Sequence, residues 1–355
     1  METKDRLLTG INELGKFIDK NSYDQVIVLT DKNTKAFCLP LLMSECPFLE
    51  HCATYVIEPE DEHKTPEALI EIWRFLSRQE ASRSSLLILL GGGVVTDLGG
   101  LAAATFHRGM DFVNIPTTLL GMVDASTGGK TAVNLDGVKN QVGVFKEPKA
   151  VILDSRFLDT LPDRELKSGY AEIIKHALLT DRETFLHFTR EDAMEDFFKD
   201  HELMNEAIRA SILKKNEIVD MDPLEKGPRK ALNLGHTIGH ALESFSLRIG
   251  KEVPHGYAVA WGLVAELYLS MAKLMFPKDL LRRASYFIRD HYEGLDLGCQ
   301  DYDMLYDLMK KDKKNHHARI NFTLLRNAGS FQIDQQVSKE DVFESLDFLR
   351  ECLGF

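Results

Sequence analysis

The sequence predicts an α/β protein in two parts, a mostly parallel sheet with helices on its faces followed by a mainly α-helical region. Two observations carry this. Through residues 1–155, short β-branched runs alternate with helical stretches, the pattern that winds a parallel sheet. From 156 onward, long segments of helical period dominate. The expected domains are 1–155 and 156–355.

The strand readings, in order, are QVIVLTD (25–31), ATYVIE (53–58), SLLILLGGG (85–93), FVNIPTT (112–118) and AVILD (150–154). Among them, Thr65-Pro66-Glu67 opens a helix: Thr caps it, Pro suits its first turn, and the acid meets the positive end of its dipole. In the second part ELKSGYAEIIKHALL, NEAIRASILKKNEIV, KALNLGHTIGHALESF and YAVAWGLVAELYLSMAKLMF read as helices. ARINFTLLRNAGSFQI (318–333) departs from that pattern, and RNAG suits the turn of a hairpin. Residues 336–355 read as a terminal helix. The apolar run 257–276 raises the question of a membrane span, but Glu266 and Lys273 interrupt it, so a buried helix is expected.

Composition narrows function before any motif does. Of 355 residues, 44% are hydrophobic and 28% charged, ordinary for a globular protein. The formal charge of −12 opposes non-specific binding to nucleic acid or an anionic membrane, so neither is an expected partner. An anionic substrate would need a local basic pocket to overcome that field. The five cysteines (Cys38, Cys46, Cys52, Cys299 and Cys352) are odd in number and form no CxxC pair, which fits a reduced, cytoplasmic protein. METKDRLLTG at the N-terminus lacks the apolar core of a secretory signal.

Gly91-Gly92-Gly93 directly follows the apolar run SLLILL. Glycines at a strand end let backbone approach a pyrophosphate, and N–H groups at the next helix start can bind it. The spacing is not GxGxxG, and the same glycines also fit a tight turn without a ligand. Asp97 follows in that helix. Thr117-Thr118 and Asp31/Asn33 follow other strands, where a nucleotide would gather them, though turn chemistry also explains Asp and Asn there.

His236 and His240 are four apart and share a helix face; His255 stands in Pro254-His255-Gly256, and Glu172 shares a face with Lys175. One carboxylate and two imidazoles suit a zinc ion with open positions. A lone histidine is more often a hydrogen-bonded core residue, and HxxxH does not require both to be ligands. Arg108, Lys130, Lys139, Lys175, Lys215, Arg229 and Lys313 are candidates for anion binding. Gly128-Gly129 aims Lys130, with Asp124 six residues before it, and Lys139-Asn140 reads as a polar loop.

With these residues collected, the chain resembles the 3-dehydroquinate synthase family from about residue 25 to 335. GGGVVTDLGG, PTTLLGMVDASTGGKTAVN, KNQVG, TLPDRELKSGYAEIIKHAL, LNLGHTIGHALE and HGYAVAWG stand in the family's order and spacing. The resemblance implies an NAD-binding, Rossmann-like N-terminal domain, a helical metal-binding C-terminal domain and a homodimer. It implies that Glu172, His236 and His255 bind Zn²⁺ or Co²⁺, and that His240 either supports those ligands from behind or handles protons. Substrate positions would be Arg108 (reaching across the dimer), Asp124, Lys130, Asn140, Lys175, Lys215, Arg229, Asn233 and Lys313. Of these Lys130, Lys175, Lys215, Arg229 and Asn233 would act with His240 in catalysis. NAD positions would be Asp31, Asn33, Asp61, Lys64, Gly91, Gly92, Gly93, Asp97, Thr117, Thr118, Lys130, Lys139, Phe157 and Thr160. Thr96 replaces a usual glycine, which fits if its φ is negative. Asp61 stands where the family often has Glu, and Lys313-Lys314 offers two candidates for one lysine.

The implied activity is a carbon–oxygen lyase step of the shikimate pathway toward aromatic amino acids. 3-Deoxy-D-arabino-heptulosonate 7-phosphate would become 3-dehydroquinate and phosphate by transient oxidation at C5, phosphate β-elimination, reduction and intramolecular aldol closure. The rivals are a related sugar phosphate cyclase making another ring, a metal-dependent polyol dehydrogenase, and a non-catalytic NAD- or metal-binding regulator. The intact GGKTAVN and KN segments favour the dehydroquinate reading.

Overall fold

A computed structural model describes residues 6–136, 138–311 and 320–354. It forms two compact units, Met1–Pro162 and Asp163–Phe355. The turn Ser155–Thr160 stays with the first unit, because the Asp154 carboxylate accepts the N–H groups of Arg156 and Ile11, both at 3.2 Å.

The first unit contains β1 (Leu7–Thr9), β2 (Val26–Asp31), β3 (Ala53–Ile57), β4 (Leu86–Gly91), β5 (Asp111–Pro116), β6 (Lys130–Leu135), β7 (Val138–Phe145) and β8 (Ala150–Leu153). Six of these strands make a parallel sheet in the order β1-β8-β5-β4-β2-β3. Central β4 (LLILLG) is buried throughout, as a strand covered on both faces must be. The helices are α1 (Asn12–Asn21), α2 (Lys32–Phe37), α3 (Leu39–Glu45), α4 (Pro66–Arg78) and α5 (Gly93–Thr105). Thr65 caps α4 by accepting the Ala68 N–H at 3.3 Å. Leu69, Ile72 and Leu76 of α4 bury beside Leu29, Leu89 and Leu98, each side chain contributing about 1.5–3 kcal/mol. The antiparallel hairpin β6–β7 corrects the loop reading of Lys139-Asn140, which lie within β7. Every residue of β7 is exposed, so it lacks the alternation that marks a strand in sequence.

The second unit comprises α6 (Asp163–Thr180), α7 (Arg182–Phe188), α8 (Ala193–Lys199), α9 (His201–Met221), α10 (His236–Arg248), α11 (His255–Leu274), α12 (Lys278–His291), α13 (Tyr302–Lys311) and α14 (Lys339–Leu353). The expected hairpin is β9 (Phe322–Asn327) and β10 (Ser330–Gln335), turning at Gly329 with φ +77°. Apolar α11 is the central helix, packed by α6, α10, α12 and α14, which accounts for its hydrophobicity on all sides. No helix among the described residues is long and apolar enough to cross a membrane.

KALNLGHTIGHALESF is not one helix. A 3₁₀ turn, Pro228–Asn233, is followed by Gly235 at φ +78° and then α10. The apolar spacing of Ala231, Leu234 and Ile238, all buried, runs through the break and conceals it. The backbones of α11 and this turn touch: a Cβ on Gly262 would lie 2.0 Å from the Gly235 carbonyl oxygen.

Candidate active site

Three elements of the second unit bring the metal candidates together. Glu172 projects from α6, His236 opens α10, and His255 opens α11. Gly256 permits the last approach: its N–H donates to Ser168 Oγ at 3.0 Å, and a Cβ there would meet the Ser168 carbonyl oxygen at 1.9 Å. Ser168 lies one turn before Glu172, so this crossing sets His255 against the carboxylate. His236 Nε2 and His255 Nε2 stand 3.4 and 3.8 Å from Glu172 Oε1.

The imidazole tautomers follow from their other nitrogens. His236 Nδ1 donates to the Leu234 carbonyl at 3.0 Å, and His255 Nδ1 donates to Glu243 Oε2 at 3.1 Å. In the neutral rings this leaves an Nε2 lone pair on each, aimed at a carboxylate that is fully buried. Among the described residues neither Glu172 oxygen accepts a hydrogen bond of good geometry, although the Lys175 ammonium forms an ion pair with Oε2. The Lys175 ammonium offsets part of the repulsion among these lone pairs and the carboxylate, and a metal ion would offset the rest. The donor set, one oxygen and two nitrogens, fits zinc or cobalt. His240 stands at the same cluster, its ring 5.2 Å from that of His236 and 5.7 Å from that of His255.

The second unit also buries Lys175, Lys215 and Arg229, and Lys175 pairs with Glu172 of this centre. Arg229 Nη1 donates to the Pro223 carbonyl at 2.7 Å, and the Asp222 carboxylate gathers the N–H groups of Lys226, Gly227 and Arg229. Asn233, at the end of the 3₁₀ turn, donates to Glu225 Oε1 at 3.3 Å. Lys313 lies outside the described residues.

In the first unit the glycine turn lies where β4 meets α5: Gly91 ends the strand, Gly92 caps the helix and Gly93 opens it. Thr96 sits in α5 with no positive φ, so it fits the backbone, and its hydroxyl donates to the Gly93 carbonyl at 3.2 Å. Thr117 is buried just past β5, and Thr118 Oγ1 accepts the Gly121 N–H at 2.9 Å. Asp31 caps α2 through the Thr34 N–H at 2.8 Å, and Asn33 is exposed on the first turn of that helix. Phe157 is buried and Thr160 exposed on the final 3₁₀ turn. Lys130 starts β6 after Gly128 (φ +86°) and Gly129 (φ +67°), and Asp124 is half-buried before that turn. Arg108 is exposed, with φ +66°.

Lys64 is buried and donates to both Asp97 Oδ2 and Asn140 Oδ1 at 2.5 Å. Asp61 Oδ2 accepts from Lys139 Nζ at 3.3 Å and from Asn134 Nδ2 at 3.2 Å. Asn134 Oδ1 accepts the Asn140 N–H at 2.8 Å. Asn134 thus ties the Asp61–Lys64 segment to the hairpin. The sequence reading singled out its neighbours and not Asn134, nor Glu225 and Glu243 in the second unit. Glu243 could have been found, as it follows His236 by seven residues on the same helix face. Asn134 and Glu225 carry no such signal.

Solved structures share this fold across nearly the whole chain. The structure of 2-deoxy-scyllo-inosose synthase complexed with carbaglucose-6-phosphate, NAD⁺ and Co²⁺ aligns with a TM-score of 0.82 at 22% identity, covering 97% of this chain and 96% of that one. A 2-epi-5-epi-valiolone synthase from Streptomyces hygroscopicus, with NAD⁺ and Zn²⁺ bound, gives 0.84 at 23% identity with the same coverage. At these identities the likeness speaks for the fold alone.

The sequence matches are more specific. Residues 54–168 match the 3-dehydroquinate synthase N-terminal family and residues 169–315 its C-terminal counterpart. The 3-dehydroquinate synthase of Parabacteroides distasonis is 46% identical over 343 residues, covering 97% of this chain and 96% of that protein. The chain belongs to the 3-dehydroquinate synthase family.

Proposed function

We propose that this chain converts 3-deoxy-D-arabino-heptulosonate 7-phosphate into 3-dehydroquinate and phosphate, with bound NAD and a zinc or cobalt ion. The observation that carries the reading is the convergence of Glu172, His236 and His255 in a unit that also buries Lys175, Lys215 and Arg229. When bound, the ion would lend Lewis acidity to the sugar hydroxyls, and NAD would accept a hydride and return it. Glu172 and the two Nε2 atoms would hold the ion, and the residues around the Gly91–Gly93 turn would hold NAD.

Lys175, Lys215 and Arg229 would bind the anionic groups of the substrate, with Asn233 orienting them, in surroundings where charge is poorly screened. Lys130, Asp124, Asn140 and Arg108 are the first unit's substrate candidates. His240 would carry protons, because its ring stands beside those of His236 and His255. Charge neutralisation by these cations lets phosphate depart as the adjacent C6 proton is lost.

A homodimer completes this reading. Val138, Val142, Val144 and Phe145 expose 40–52% of their surface on β7, an apolar strand that a second copy would cover. In the same arrangement the exposed Arg108, at φ +66°, would reach across to the partner's site, as the family resemblance implies. A cytoplasmic location is supported by five cysteines, all free of disulfides.

The test is direct. Protein supplied with NAD⁺, zinc and the heptulosonate phosphate should release phosphate without net NADH, giving a product that dehydroquinase accepts. Net NADH from a polyol, with no phosphate released, would refute the reading.

A further inference from the structure

We infer that Glu266 is a positioning residue for the metal centre: its carboxylate clamps the peptide that orients His236. The inference rests on the metal reading above. Glu266 is fully buried in α11 between apolar neighbours. A carboxylate there is costly unless hydrogen bonds hold its charge. Glu266 Oε2 accepts the Gly235 N–H at 2.7 Å, and Oε1 accepts the Ile238 N–H at 3.1 Å.

Those two amides flank His236. Gly235 is the N-cap of α10 and has no side chain to cap it, and Ile238 is the third residue of the helix. In a capping box, side chains near the helix start satisfy the N-cap and third-position N–H groups locally. Here one carboxylate from the neighbouring helix takes both. The close approach of Gly262 to Gly235 brings α11 near enough, and Glu266 follows Gly262 by one turn.

The link to the metal ligand passes through a single planar unit. The Gly235 N–H and the Leu234 carbonyl belong to the same peptide. Glu266 holds its N–H; the carbonyl accepts His236 Nδ1 at 3.0 Å and so sets the tautomer and aim of that ring. Tilting this peptide would turn Nε2 away from Glu172.

The experiment uses zinc titrated into metal-free full-length protein against a chromogenic chelator, with cobalt absorption and metal-free melting measured in parallel. Glu266→Gln keeps one acceptor and sets an amide N–H against the other backbone N–H; Glu266→Asp keeps the charge but is one methylene short. Zinc affinity should fall about tenfold or more in Glu266→Gln, and the cobalt bands should shift, because loss of an outer-shell partner typically costs 10–100-fold. Should Glu266→Gln fail to fold, Glu266→Asp is read by the same measurements. Zinc affinity within twofold of the parent and unchanged cobalt bands would overturn the inference, even with a lower metal-free melting temperature. If the parent protein binds no zinc, the metal reading falls with it.

Discussion

Replacing Gly256 by alanine should dismantle the pairing of Glu172 with His255 while leaving both side chains in place. The new Cβ would lie 1.9 Å from the Ser168 carbonyl oxygen and 2.6 Å from Ser168 Cα. These are backbone atoms of α6 and cannot rotate aside, so α11 must retreat by roughly 1 Å at this crossing. His255 is the adjacent residue and Glu172 lies one turn along α6, so the 3.8 Å separation of Nε2 and Oε1 opens with it. Two ligands each about 2.1 Å from an ion stand at most about 4.2 Å apart, so a separation near 5 Å cannot be bridged. Overpacking of this kind costs about 1–3 kcal/mol, or several degrees of melting temperature for a unit of this size. Misplacement by about 1 Å at a reacting centre costs about 10²-fold in rate. Phosphate release under saturating zinc and NAD⁺ measures the second effect, and zinc content per chain after gel filtration measures the cause. A Gly256→Ala protein that retains its zinc and stays within threefold of the parent rate would refute this account of the crossing.

Other parts of the molecule give independent expectations. Lys64→Ala removes the ammonium shared by Asp97 and Asn140, so the KM for NAD⁺ should rise about tenfold with a smaller change in kcat, read by steady-state kinetics. In sedimentation velocity the parent should run as the proposed dimer, and Val142→Lys, which places a charge on exposed β7, should run as a monomer. Asp222 feels burial, which raises its pKa, but the N–H groups of Gly227, Lys226 and Arg229 outweigh this and hold it below the ordinary 3.8. The stabilisation is therefore complete above that value and lost as pH falls through the lower folded one, so parent and Asp222→Asn melting temperatures should differ at pH 7 and converge in strong acid. Cys38 is buried with its thiol pushed up to about 11 by burial, so alkylation at pH 8 should spare it in the folded protein and label exposed Cys299.

What the sequence disclosed and what it hid divide along physical lines. β2, β4, β5 and β8 were visible because strands covered on both faces need continuous apolar runs, and the edge strand β3 because Ala53–Ile57 is rich in β-branched and aromatic residues. β1 was not, since Leu7–Thr9 is three residues long and is a strand only by pairing with β8. The break at Gly235 escaped because burial kept its helical spacing while the backbone changed. At the site, the family resemblance implied Glu172, His236 and His255 as the metal set, and these residues meet in the structure. The groups that aim the imidazoles are Glu243 and a backbone carbonyl braced by Glu266, and these meet the rings only in three dimensions. Glu266 was conspicuous in sequence as an acid in an apolar helix, yet nothing there indicated which amides it would hold.

The buried cations of the second unit suit the anionic substrate proposed above. Removing an ammonium or guanidinium from water costs several kcal/mol, and the cost persists unless opposite charge or hydrogen bonds return it. Lys175, Lys215 and Arg229 are exposed by 1%, 5% and 2%, in a chain whose net charge of −12 holds anions away at long range. Glu172 returns part of that cost to Lys175, and the Pro223 carbonyl part of it to Arg229. A carboxylate and a phosphate on one small molecule would return Coulomb energy where screening is weakest. The same cations would then favour phosphate departure, because charge building on the leaving oxygen meets donors already in place. In the proposed reaction, burial of the basic set would thus connect recognition to elimination.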